Sequence, residues 1–84
     1  NMIYQQQKLK VKIYTLNECI YCFLAKKLLK ENNIKYEEVK LEQSINLLNE
    51  MKSKYKYGSV PFIFIDDKFI GGYIQLKNAL NKKY

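Results

Sequence analysis

With 84 residues, the chain is long enough for one small domain with a single hydrophobic core and too short for two. Its hydrophobic fraction of 48% excludes a wholly disordered chain. No apolar run approaches the roughly 20 residues that cross a bilayer, and the start lacks the apolar core of a signal peptide. We therefore expect no membrane segment and a location in the reducing cytoplasm.

The formal net charge is +7, and all 15 basic residues are lysine. Without arginine, the chain lacks the bidentate fork that reads guanine and grips phosphate. Its lysines are spread along the sequence, and no nucleic-acid-binding motif accompanies them. We therefore expect a solvated lysine surface and no nucleic-acid partner, although the charge favours encounters with acidic partners.

The first predicted strand runs to Thr15, because lysines at 8, 10 and 12 alternate with apolar residues. Residues 1–9 form a polar lead-in within one domain over residues 1–84. A turn at 16–18 follows, with Asn17 as the expected cap of a helix from Cys19 to about Asn32. The apolar stripe expected to bury this helix is Phe23, Leu24, Leu28 and Leu29.

The stretch from Ile34 to Leu41 again has extended character. A strand, helix, strand sequence of this length predicts a parallel pair with a right-handed crossover. Ser44 then caps a second helix, from about Ile45 to Tyr55. Its expected buried residues are Ile45, Leu48, Met51 and Tyr55.

Residues 60–65 are the most apolar stretch and predict a central strand. A tight turn at 66–68 returns residues 69–70 antiparallel, and Gly71-Gly72 precedes a last helix over about 73–81. The residues expected to bury this helix are Ile74, Leu76 and Leu80. The order βαβαββα predicts an α/β fold with a mixed four-stranded sheet, helices on both faces, and cysteines at the carboxyl end of strand one.

The only two cysteines form the motif Cys19-Ile20-Tyr21-Cys22. Positions i and i+3 share a helix face, so the two sulfurs can meet. The first lies at a helix N-terminus, where unpaired N–H groups favour a thiolate and lower a cysteine pKa from about 8.5 into a range of roughly 3.5–7.5. We predict that Cys19 is an activated nucleophile and Cys22 its resolving partner.

Two other uses of a cysteine pair carry less support. Zinc needs four ligands, and the chain has no histidine and no further cysteine. A structural disulfide closing so short a loop would remove little entropy from the unfolded chain. The redox interpretation therefore leads.

The only proline, Pro61, has two interpretations: a marker of a strand start, or a cis proline that exposes the Val60 backbone to a peptide-like ligand. Gly71-Gly72 is either a plain turn or a close approach whose N–H groups bind a carboxylate. Tyr21 is expected on the rim of the site. The Glu18 carboxylate disfavours a negative charge on the Cys19 sulfur. Lys26 is about 10 Å along the helix from Cys19, which is too far to offset Glu18 by direct pairing.

Several blocks together resemble the glutaredoxin family across about residues 10–80. The blocks are Ile13-Tyr14-Thr15, Cys19-Ile20-Tyr21-Cys22, Ala25-Lys26, Ser59-Val60-Pro61, Ile63-Phe64-Ile65 and Ile70-Gly71-Gly72. The resemblance implies a thioredoxin fold and a cis Pro61. It also implies a glutathione-binding groove between Tyr21, the Val60-Pro61 backbone and the Gly72-Tyr73 turn.

The chain departs from that family pattern at three positions. Ile20 stands where the family usually has proline, Leu16 where it has lysine, and Ile74 where it has an acidic residue. Two charged contacts to glutathione are therefore missing, and each typically contributes about 1.5–3 kcal/mol. Lys54 or Lys56 are the candidates to replace the missing lysine.

The resemblance implies a monomeric glutathione-disulfide oxidoreductase that reduces protein–glutathione mixed disulfides and protein disulfides. Glutathione is the expected co-substrate, with no metal. One alternative is a glutaredoxin-like thioredoxin, reduced by a flavoenzyme and serving, for instance, ribonucleotide reductase. Another is a dimer that holds an iron–sulfur cluster through Cys19 and glutathione.

Overall fold

The computed structural model describes residues 9–83. Most of the predicted lead-in over 1–9, and the strand start near Lys8, lie outside these residues. The chain forms the elements β1 (Val11–Thr15), α1 (Ile20–Glu31), β2 (Tyr36–Lys40), a 3₁₀ turn (Leu41–Gln43), α2 (Ile45–Tyr55), β3 (Phe62–Ile65), β4 (Lys68–Gly71) and α3 (Tyr73–Lys83). This order is the predicted βαβαββα.

The four strands form one mixed sheet in the order β2-β1-β3-β4. β1 and β2 are parallel, with Val11 opposite Tyr36, as the crossover through α1 requires. β3 runs antiparallel to β1 and also pairs with β4. The predicted mixed sheet and thioredoxin fold are confirmed, with β3 as an inner strand.

Alternation along the strands divides the interior into two hydrophobic clusters. Val11, Ile13 and Ile63 face the cluster that α1 and α3 cover. Phe62 faces the opposite cluster, with Leu48 and Met51 of α2. Helices therefore cover both faces of the sheet, and the carboxyl end of β1 lies between them.

The hairpin between β3 and β4 turns at Asp66 and Asp67, which both have positive φ, 51° and 68°. Two left-handed residues match the twist of a tight hairpin, and aspartate tolerates this backbone better than most residues. The Asp66 carboxylate also accepts a hydrogen bond from the Lys10 backbone N–H, at 3.1 Å. The predicted tight turn is confirmed.

Three predicted core residues are exposed. Phe23, Ile45 and Ile74 expose 57%, 59% and 52% of their surface. Phe23 and Ile74 lie on the sides of α1 and α3 that face away from the buried residues of those helices, such as Ala25 and Leu76. Ile45 is the first residue of α2. The expectation that these three pack in the core is wrong.

The helix ends follow side-chain caps. The Ser44 hydroxyl accepts from the Leu47 N–H at 3.1 Å, which confirms the predicted cap of α2. Asn17 does not cap α1, because the helix begins at Ile20 and Cys19 takes the N-cap position. Within residues 9–83, every helix is too short or too polar to span a membrane.

Candidate active site

Cys19 lies at the N-cap of α1 with extended backbone dihedrals, φ −116° and ψ 110°. Its sulfur accepts a hydrogen bond from the Cys22 backbone N–H at 3.1 Å, the bond by which an N-cap side chain satisfies a free helix donor. The two sulfurs are bonded to each other in this structure. Cys19 is partly exposed, whereas Cys22 exposes only 2% of its surface. Only Cys19 is open to a bulky partner.

The Val60-Pro61 peptide bond is cis and faces the cysteines. The Cys19 sulfur lies 3.9 Å from the Val60 carbonyl oxygen. The ladder between β1 and β3 begins at Phe62, so Val60 stands just outside the sheet pairing. The backbone beside the exposed sulfur is therefore placed to meet an extended ligand.

A shallow groove of about 180 Å³ begins at this peptide. Tyr21 and Tyr73 stand on it with ring centroids 6.1 Å apart. The residues lining the groove are Tyr21, Tyr57, Ser59, Val60, Pro61, Tyr73, Ile74 and Gln75. The fold thus brings four of the predicted glutathione-binding residues, Tyr21, Val60, Pro61 and Tyr73, to one recess.

Gly72, the fifth predicted residue, is buried behind the groove. A Cβ at this position would overlap the Tyr57 hydroxyl, so the close approach needs glycine. The Gly72 N–H donates to the Gln75 side-chain oxygen at 2.8 Å. In this structure a carboxylate would have to displace Gln75 to reach that N–H. Neither Tyr57 nor Gln75 is among the predicted site residues.

A second recess, of about 430 Å³, is lined by Cys19 itself and shares no lining residue with the groove. Both cysteines line it, together with Ile20 and Phe23 of α1 and the polar groups of Lys26, Glu38 and Lys40. Leu16, at the position of the missing lysine, also lines it. Cys19 therefore borders two separate recesses, because it lines this one and its sulfur lies 3.9 Å from the Val60 carbonyl oxygen of the groove.

A partly buried polar network lines this second recess. The Thr15 hydroxyl, 2% exposed, donates to the Glu38 carboxylate at 2.7 Å, and the Lys26 ammonium donates to the same oxygen at 2.9 Å. Partial burial acts to raise the pKa of Glu38, but these two hydrogen bonds and the positive charges of Lys26 and Lys40 together outweigh it and lower the pKa. A fixed carboxylate and ammonium pair therefore stands near the cysteines.

A protein-family model described as Glutaredoxin matches residues 11–70. The chain belongs to the glutaredoxin family. Glutaredoxin 1 of Rickettsia prowazekii is 45% identical over 71 residues, which cover 79% of this chain and 72% of that protein. Glutaredoxin 3 of Escherichia coli is 37% identical over 62 residues, covering 74% and 75%. The chain spans only 61% of a third relative, Glutaredoxin 1 of Rickettsia conorii.

A solved glutaredoxin has the same architecture. The crystal structure of Glutaredoxin 1 from Francisella tularensis, complexed with cacodylate, superposes with a TM-score of 0.74 at 42% identity, covering 88% of this chain and 94% of that one. Glutaredoxins are thiol oxidoreductases, and this chain keeps the redox-active Cys-x-x-Cys pair of the family.

The departures from the family pattern are visible in the structure. Leu16 is half-buried against the hydrophobic cluster that contains Phe62, Leu48 and Met51, and Ile74 is exposed on the groove. Lys54 stands 5.3 Å from the Tyr55 ring centroid and lines a groove between α2 and the sheet that contains neither cysteine. No polar contact joins Lys54 to the site in the described part of the chain, so nothing here supports it as the replacement lysine.

Glu18 and Lys26 do not form a pair. Glu18 is exposed in a left-handed turn, φ 53°, whereas Lys26 is paired with Glu38. The residues described include no group of three or more His, Cys, Asp or Glu side chains that could hold a metal ion.

Proposed function

We propose that this glutaredoxin is a glutathione-disulfide oxidoreductase, with Cys19 as the nucleophile and Cys22 as the resolving cysteine. The observation that carries the proposal is the position of the Cys19 sulfur. It is the exposed member of the pair, it accepts a helix N–H, and it faces the Val60 backbone at the end of the tyrosine-lined groove.

The geometry suits attack by a thiolate. When the pair is reduced, the Cys22 N–H and the other free donors at the start of α1 favour the charged form of Cys19. The thiolate attacks the glutathione sulfur of a protein–glutathione mixed disulfide. A Cys19–glutathione disulfide forms, and the protein sulfur leaves as a thiolate that takes a proton from water. A second glutathione thiolate attacks the bound glutathione sulfur, which releases oxidised glutathione and restores the Cys19 thiolate.

A protein disulfide requires Cys22. Cys19 attacks one protein sulfur and releases the other as a thiolate, leaving a mixed disulfide between Cys19 and the protein. Cys22 loses its proton and attacks the Cys19 sulfur, so the second protein thiolate leaves and the Cys19–Cys22 disulfide remains. Two glutathione molecules then reduce this disulfide and become oxidised glutathione.

The groove supports glutathione as the co-substrate. A tripeptide laid along it can pair with the Val60 backbone, which lies outside the sheet, in the manner of an added strand. Tyr21 and Tyr73 are neighbours on the groove and supply ring surface and hydroxyls to a bound ligand. Gly72 keeps the turn close to Pro61, so the groove stays narrow. We propose that the protein performs this reaction as a monomer in a reducing cytoplasm.

The test is reduction of hydroxyethyl disulfide by glutathione, coupled to glutathione reductase. We expect activity in the wild type, its loss in Cys19→Ser, and its retention in Cys22→Ser, because only the first cysteine attacks a glutathione mixed disulfide. Full activity of Cys19→Ser would overturn the assignment of the nucleophile.

The apolar residues Leu16 and Ile74 favour one second candidate, a redoxin reduced by a flavoenzyme. Both replace charged contacts that the family resemblance associates with glutathione. Turnover with a thioredoxin reductase, together with no turnover by glutathione, would select this candidate over the first.

A further inference from the structure

Exposed apolar side chains concentrate around the cysteine pair. Five large apolar residues stand out as exposed among the described residues, and four of them, Ile20, Tyr21, Phe23 and Ile74, lie in or beside the two recesses. The fifth, Ile45, lies at the start of α2. Exposed apolar surface clustered at one place is typical of a binding site.

Two of these residues, Ile20 and Phe23, lie on the same face of α1 as two lysines further along the helix. Residues three, four and seven apart share a helix face, so one side of α1 carries apolar side chains near Cys19 and lysines further along. We call these residues the α1 stripe: Ile20, Phe23, Lys27 and Lys30. A shallow surface recess of about 430 Å³ runs along it from Phe23, and Lys26 and Glu31 also line this recess.

The charge of this surface is positive. Three lysines, Lys26, Lys27 and Lys30, line the recess with one carboxylate, Glu31. Lys26 is paired with Glu38, so Lys27 and Lys30 are the two lysines that remain to meet a partner. Lys27 is paired with Glu31 at 2.5 Å, but both side chains are more than half exposed, and such pairs exchange readily with other partners. A partner that meets the stripe therefore needs acidic groups opposite Lys27 and Lys30.

The stripe and the tyrosine-lined groove are separate surfaces that share no residue. Ile20 and Phe23 line the recess that contains both cysteines, whereas Tyr21 and Ile74 line the groove at the Val60-Pro61 peptide. A mixed disulfide has two unequal halves, and attack on it brings both halves to Cys19. Two recesses that both border Cys19 can hold one half each.

We infer that the α1 stripe docks the protein half of the substrate, and that the stripe fits an extended segment with an apolar residue near its cysteine and acidic residues beyond. At 1.5 Å per helical residue, Phe23 is about 6 Å from Cys19 along the axis, Lys27 about 12 Å and Lys30 about 16 Å. An extended strand advances about 3.3 Å per residue, so the apolar residue lies about two positions from the cysteine and the acidic ones about four and five. The inference rests on the proposed function, since it assigns a binding surface to the protein that leaves as a thiolate in the same reaction.

The test uses synthetic peptides whose cysteine carries glutathione through a disulfide. The acidic peptide is Glu-Glu-Ser-Leu-Ala-Cys-Ala-Leu-Ser-Glu-Glu, which is symmetric so that chain direction does not matter. A basic peptide replaces every Glu by Lys, and a polar peptide replaces both Leu by Ser. Cys19 forms a disulfide with glutathione in each case, and the peptide thiolate leaves. We expect kcat/KM to be about tenfold higher for the acidic peptide than for the basic one, with a difference that shrinks at high salt.

Matched variants distinguish binding at the stripe from effects of net charge or of exposed apolar surface elsewhere. Lys27→Gln/Lys30→Gln should lower kcat/KM for the acidic peptide about three- to tenfold, whereas Lys35→Gln/Lys52→Gln, with the same net charge, should leave it unchanged. Phe23→Ser should lower the rate with the leucine peptide more than with the polar peptide. Ile45→Ser removes an equally exposed apolar side chain and should affect neither.

Hydroxyethyl disulfide distinguishes the two possible failures. If the wild type does not reduce it with glutathione, the proposed function fails. If the wild type reduces it but turns over acidic and basic peptides equally, or if both lysine pairs matter equally, the docking inference fails and the proposed function stands.

Discussion

Gly72 and Tyr57 offer a test of how tightly the groove is built. A Cβ added at Gly72 overlaps the Tyr57 hydroxyl, while its next neighbours, the Pro61 carbonyl oxygen and Tyr57 Cζ, stand at an ordinary 3.5 Å. One oxygen atom is therefore the main obstacle to alanine. We expect Gly72→Ala to destabilise the protein by about 1–3 kcal/mol, the usual cost of overpacking.

Removing that oxygen should relieve the clash. In Gly72→Ala/Tyr57→Phe, we expect most of the lost stability to return, which gives a coupling free energy of about 1–2 kcal/mol in a double-mutant cycle. The measurement is urea unfolding of the wild type, both single variants and the double variant. For a domain of this size, 1 kcal/mol also shifts Tm by about 4–8 °C.

The neighbouring glycine supplies the control. Gly71 has φ +117°, a conformation that strains any residue with a Cβ, so Gly71→Ala should be destabilising with or without Tyr57→Phe. Equal rescue of both glycine variants would refute the steric explanation. Additive free energies for Gly72→Ala and Tyr57→Phe would refute it as well.

Three further predictions concern a cap, a carboxylate and the groove. Ser44→Ala should cost about 0.5–2 kcal/mol in urea unfolding, because the Leu47 N–H loses its acceptor. The pKa of Glu38 is lower in the folded state than in the unfolded state, so its stabilisation is present above the unfolded pKa and is lost as pH falls through the folded one. Glu38→Gln should remove this part of the acid dependence of stability, measured between about pH 5 and pH 3. Ile74→Asp restores the acidic residue implied by the family and should lower KM for glutathione about tenfold in the coupled assay, with less than about 0.5 kcal/mol change in stability.

The strands and caps could be predicted because local patterns determine them. Alternation over Val11–Thr15 places its apolar residues on one face, and Ser44 caps α2 through a hydroxyl three residues from its donor. The cysteine pair and the cis Val60-Pro61 bond could also be predicted, since each lies in a short motif on which the family resemblance rests.

The polar network behind the cysteines could not be predicted in this way. Thr15 and Glu38 are 23 residues apart, and Lys26 and Glu38 are 12 apart. The parallel register, which sets Ile13 opposite Glu38, brings Thr15 and Glu38 together across β1 and β2, and Lys26 reaches Glu38 from α1. Tyr57 was missed for a similar reason, because the Gly72 turn meets it only in the folded chain.

The residues that were wrongly predicted to be buried are informative about the binding surface. Apolar periodicity predicted burial for Phe23, Ile45 and Ile74, yet no element covers them among the residues described. Two of the three, Phe23 and Ile74, lie at the two recesses that border Cys19. Apolar periodicity is expected to predict burial wrongly where an apolar surface binds a partner. Leaving that surface exposed costs solvation free energy, and this free energy is recovered when the partner covers it. The same reasoning makes Ile45 the proper control, since it is equally exposed and lies away from the cysteines.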